Sequence, residues 1–81
     1  MIMSAQFAVA SHLSDAQFEL SFSPAKSEAR IDFAKFIIFW CEGDLSQDIN
    51  PEELWTVFAE QQPHHAEAWN ATPTAHPTPT P

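Results

Sequence analysis

The sequence predicts an α+β fold: an N-terminal β-hairpin packed on two α-helices, followed by a disordered Pro/Thr-rich tail. Three features carry this expectation. Phe18, Leu20 and Phe22 alternate with polar residues. A long apolar run is bracketed by Pro24 and Gly43. From Thr72 onward the chain is almost wholly Thr, Pro, Ala and His.

The hairpin rests on a period of two, which places successive side chains on opposite faces of a strand. Phe18, Leu20 and Phe22 alternate with Gln17, Glu19, Ser21 and Ser23, and Phe7 and Val9 alternate with Gln6, Ala8 and Ala10. The intervening SHLSDA is polar enough for a loop, so strands are expected near 5–11 and 17–23. A competing signal exists. Ser14 and Gln17 have capping-box spacing and could start a short helix through Phe18.

The first helix has the clearest boundaries. Ser23 is a capping residue, and Pro24 suits the first helical position, where an N–H is not needed. Gly43, the single glycine, stands where the chain must turn out of a helix with positive φ. On a 100° wheel, Ala25, Ala29, Ile31, Phe33, Ala34, Phe36, Ile37, Ile38, Trp40 and Cys41 fill one broad arc, with Phe39 among the polar residues opposite. That arc exceeds the stripe of an ordinary surface helix. It implies a central helix, or a flank covered by another chain. The second helix starts at Asn50–Pro51, with Glu53 completing a capping box and Ile49 and Leu54 spaced as a hydrophobic staple. Leu54, Trp55, Val57 and Phe58 form its apolar face, and Pro63 ends it. The domain is therefore expected to span 1–62 and the flexible tail 63–81, although Pro63 could begin one more turn through Trp69.

Composition limits the function classes. Eleven carboxylates face three bases, giving a net charge of −8. Lys26, Arg30 and Lys35 are all the bases, and seven carboxylates follow Lys35. Direct nucleic-acid binding relies on clustered Lys and Arg, and an acidic lipid surface would repel this chain, so neither partner is expected. A larger protein with a basic surface is favoured electrostatically. The apolar excess also leaves self-association open. Seven Phe and three Trp supply large rings, either to stabilise a small core or to meet a partner. One cysteine cannot form an internal disulfide. No signal-peptide pattern or membrane-spanning run is legible, and a cytoplasmic location is expected.

Candidate chemistry is sparse. CEGDLSQDINPEELW places Asp44, Ser46, Asp48, Asn50 and Glu52 at alternate positions, the spacing of a calcium loop. Counted from Asp44, however, the glycine position is Ile49 and the bidentate Glu position is Trp55. The stretch reads as a helix-to-helix connection. His64 and His65 are adjacent and would point about 100° apart on a helix, a poor chelating pair. Cys41 lies on the apolar arc, where a thiol is usually inert. No catalytic constellation, cofactor motif or metal framework emerges, and enzyme activity is not expected. The reading is a small acidic non-enzymatic protein that binds a larger protein, as regulator, inhibitor or accessory subunit. The alternative is a nucleic-acid mimic that fills the basic groove of a DNA- or RNA-binding protein. The expected partner contacts are Phe39, Glu42, Asp44, Asp48, Glu52, Glu53, Trp55 and Trp69.

Overall fold

A computed structural model describes residues 1–70 of the chain. The expectation of a disordered tail beyond residue 70 lies outside the described residues. The described part is mostly helical: β1 (Met3–Ser4), α1 (Ala5–Glu19), α2 (Pro24–Trp40), β2 (Asp48–Ile49), α3 (Pro51–Gln61) and α4 (Pro63–Asn70). The two short strands pair antiparallel, Met3 with Ile49 and Ser4 with Asp48.

The expected N-terminal hairpin is absent; α1 occupies its place. Ser4, rather than Ser14, starts the helix, its Oγ accepting from the Phe7 N–H at 3.1 Å. Ala5, Ala8, Val9 and Ala16 are buried on one side of α1, and alanine is the strongest helix former. Phe18, Leu20 and Phe22 do not share a strand face: the helix ends at Glu19, between them, and a turn carries the chain into α2.

The small residues of α1 let it lie close along α2, which buries Ser27, Ala29, Phe33, Ala34 and Ile37. Ser27 Oγ donates to the Ala16 carbonyl at 2.6 Å, so this buried hydroxyl is satisfied and pins the pair. The exit from α2 follows the sequence expectation. Gly43 takes φ 82° and its N–H closes on the Ile38 carbonyl, but Glu42 also turns left-handed, at φ 53°. The loop then returns along the start of α1, where Ala5 and Gln6 donate to the carbonyls of Gln47 and Leu45.

Asn50 caps α3, its Oδ1 accepting from the Glu52 N–H at 3.1 Å, and both members of the expected staple, Ile49 and Leu54, are buried. The segment 63–70, expected within the flexible tail, forms α4. It is tied to α2 by His65, whose Nε2–H donates to Asp32 Oδ2 at 2.7 Å while its ring stacks on Phe58. Phe33 is the hub of the aromatic core, in ring contact with His12, Phe36, Trp55 and Phe58. Among the described residues, no helix is long and apolar enough to cross a membrane.

Candidate functional site

The eight expected contact residues separate into two groups. Glu52, Trp55 and Trp69 converge on one cavity. Phe39, Glu42, Asp44, Asp48 and Glu53 gather around the end of α2, its following loop and the first turn of α3.

The cavity holds about 410 Å³ and is lined by His12, Phe33, Pro51, Glu52, Trp55, Thr56 and Trp69. Trp69 does not stand free. Its ring centroid is 4.6 Å from that of Trp55 and 5.8 Å from that of His12. Arg30 lies over its face at 4.3 Å and Lys26 at 5.6 Å, so the ring is a cation–π platform folded onto its own core. Glu52 is the one carboxylate on the cavity's lining.

Arg30 organises this side of the molecule. Its Nε donates to Glu19 Oε1 at 2.6 Å, and Nη1 lies 3.4 Å from Asp15 and 3.1 Å from His12 Nδ1. A guanidinium can only donate, so His12 Nδ1 accepts and the neutral ring carries its proton on Nε2. Burial, and then the Arg30 charge, lower the His12 pKa from its usual 6.5. Lys26 adds a 3.8 Å contact to buried Glu19. The guanidinium thus links α1, α2 and α4, a role that no local sequence pattern around Arg30 signals.

The consequence reaches the surface. Two of the three bases are engaged inward, and Lys35 is the exposed one. Four of the five residues in the second group are themselves carboxylates, and Lys35 is the base beside the fifth, Phe39. Phe39 is 80% exposed and Trp40 is 53% exposed. Trp40 belongs to the apolar arc of α2 but does not enter the core. It stands instead at the arc's edge, touching Phe36 at a centroid distance of 5.9 Å. Two hollows flank these rings. One, of about 270 Å³, is lined by Asp32, Lys35, Phe36, Phe39, Phe58, Gln61 and Gln62. The other, of about 290 Å³, has Ile2, Trp40, Ile49 and Leu54 with Asp48 and Glu53 beside them. Glu42 and Asp44 are exposed in the loop just beyond. This arrangement can seat apolar side chains in the hollows while its carboxylates attract cations.

The calcium-like stretch has its own geometry. Asp44 Oδ1 accepts from both the N–H and the Oγ of Ser46, at 3.1 and 2.6 Å, which forms a tight local turn. The hydrogen bonds from Ser46 lower its carboxyl pKa. Asp48 is held in β2 and Asn50 caps α3. Among the described residues, no three His, Cys, Asp or Glu side chains converge on a common point for a metal. Cys41 is buried, and burial followed by the Asp44 charge pushes its thiol pKa up. The chain matches no family model, and no curated protein or solved structure is detectably similar to it.

Proposed function

We infer that this protein is a non-enzymatic interaction partner of a larger protein, a regulator, inhibitor or accessory subunit. It would hold a basic, partly apolar segment of that protein on the face formed by α2, α3 and the loop between them. One observation carries the reading: Phe39 and Trp40 stand exposed at the lips of two hollows, with Asp48 and Glu53 on one lining and Glu42 and Asp44 nearby. Exposed aromatic rings are the usual anchors of interfaces, and surrounding charge selects the partner and speeds its arrival. The burial of Cys41, which raises its thiol pKa, and the engagement of His65 with Asp32 fit a role without chemistry.

Affinity capture with the full chain, compared with Phe39→Ser/Trp40→Ala at two salt concentrations, tests this. Capture of a stoichiometric partner that the double variant loses, while circular dichroism stays native, supports the assignment. Capture that ignores the two rings but disappears at the higher salt would replace it with the nucleic-acid mimic, whose contacts are charge on charge. Capture unaffected by either change would remove this face from consideration.

A further inference from the structure

The outer face of α1 has a different character. On a 100° wheel, Phe7, Ala10, Ser11, Ser14 and Phe18 lie opposite the buried stripe of Ala5, Ala8, Val9 and Ala16. All five are exposed, Phe7 by 63% and Phe18 by 74%. Phe22 extends the strip beyond the helix, its ring set edge-on to Phe18 at 5.4 Å. Nothing on the strip is charged. Asp15, at its margin, is held 3.4 Å from Arg30.

The strip is also self-complementary. Reversing α1 about a point between His12 and Leu13 exchanges Phe7 with Phe18 and Ser11 with Ser14. The two Phe residues are three turns apart, about 16 Å along the axis. Between them stand only small side chains, which allow a second helix to approach closely. We propose that two copies of this chain pair α1 against α1 in antiparallel fashion about a two-fold axis. Phe7 of each copy then packs against Phe18 of the other, over a centre of Ala10, Ser11 and Ser14. This is an isologous contact, in which one patch serves both copies.

Charge selects this occupant. Each copy carries −8, and the carboxylate-rimmed face of α2 and α3 would repel its equal. The α1 strip is where two such copies can meet with least repulsion, and it offers nothing to attract a basic protein. Size agrees as well. The exposed parts of Phe7, Phe18 and Phe22, with the small residues between them, represent on the order of 500 Å² per copy, so about 1,000 Å² in total. That is the small end of specific interfaces, suited to a dimer that forms reversibly at micromolar concentration.

Sedimentation equilibrium of the reduced full-length chain, across a micromolar concentration series, is the test. The expected mass rises toward twice 9.1 kDa. Phe18→Glu should weaken association ~100-fold, because a charge would replace an anchor at each end of the contact. Should that variant lose helicity, Ser14→Arg serves instead, blocking close approach from an exposed helical position. Register is tested by mixing. Phe7→Lys and Phe18→Glu chains, each monomeric alone, should recover a heterodimer because Lys then faces Glu. A mixture of Phe7→Lys with Phe7→Glu should not. A monomeric wild type, a dimer indifferent to Phe18→Glu and Ser14→Arg, or recovery only in the second mixture would each overturn the proposal. Phe39→Ser/Trp40→Ala should leave the dimer intact, which separates this result from the partner-binding reading.

Discussion

The outer face of α1 and the face of α2 and α3 both expose aromatic rings, yet their surroundings are opposite. Phe7 and Phe18 stand in an uncharged strip of small residues, whereas Trp40 stands beside Asp48 and Glu53 and Phe39 beside Asp32 and Lys35. The difference teaches that exposed apolar area alone does not define a partner. The charge around it does, because desolvating a ring is favourable anywhere, while electrostatics decides which surfaces can approach. On the two proposals above, the first face suits an identical molecule and the second a basic one.

The largest effects should come from what both faces share. Phe33 is 2% exposed and touches four other rings, so Phe33→Ala should cost about 3–5 kcal/mol, measured by urea unfolding. Both faces should fail together. If self-association survived while the α2–α3 face was lost, the two would be independent folding units and the comparison would need redrawing.

Next in size is Arg30→Met. It would leave Glu19, 7% exposed, without its nearest cation, and breaking such a pair from one side should cost about 2–4 kcal/mol. The double change Arg30→Met/Glu19→Gln should recover part of that loss. Urea midpoints for the three variants check both statements. The effect should fall on α4 as well, since Trp69 loses the nearer of its two cation–π partners and keeps only Lys26. Hydrogen exchange of the α4 amides should therefore rise more than that of α1.

Smaller still is the effect on stability of the interface residues themselves. Phe18→Ala and Phe39→Ala remove mostly exposed rings, and each should shift unfolding by no more than about 0.5 kcal/mol. Their binding phenotypes should nevertheless separate, the first acting on self-association and the second on partner capture. A substantial stability loss from either would mean that the ring serves its own fold rather than a contact.

The two faces were unequally legible in the sequence. α2 and α3 could be read because Pro24, Gly43, Asn50 and Pro51 mark their ends with residues that few other conformations want. Phe39 could be singled out because it breaks a polar face. α1 was opaque for the reason that makes it interesting: apolar residues occupy its outer side as well as its inner one, so no amphipathic stripe at a period of 3.6 stands out. Phe18, Leu20 and Phe22 then imitated a strand across a helix end. Trp40 was counted into the arc, because a wheel gives direction but not how far neighbouring helices extend. The meeting of Glu52, Trp55 and Trp69 with His12 was beyond reach, since it depends on how α1, α3 and α4 pack around Phe33. Lys26 and Arg30 meet Glu19 because chain order keeps them close. The turn between α1 and α2 brings those segments together, as the hairpin would have done.

The smallest predicted effect sharpens the comparison on α1 itself, whose two sides should differ in their response to pH. The outer strip has no titratable group, so self-association should change little between about pH 5 and 8. The inner side carries His12, whose pKa is lowered by burial and then by Arg30, with Asp15 and Glu19 opposing. In the unfolded chain His12 takes up a proton as pH falls through its ordinary 6.5, while the folded chain resists until its lower pKa is reached. Over that window the unfolded state binds more protons. Stability contributed by the neutral, Arg30-bound ring is therefore present above 6.5 and is lost as pH falls toward the folded value. His12→Gln retains a side-chain acceptor for Arg30 but cannot titrate. Wild type minus His12→Gln, followed by urea unfolding at stepped pH, isolates this component, because every other ionisable group is common to both proteins. The difference should shift against the wild type below 6.5 and stay flat above it. A difference of the opposite sign would mean that His12 is charged in the folded state, with Asp15 and Glu19 outweighing Arg30 at the inner edge of α1.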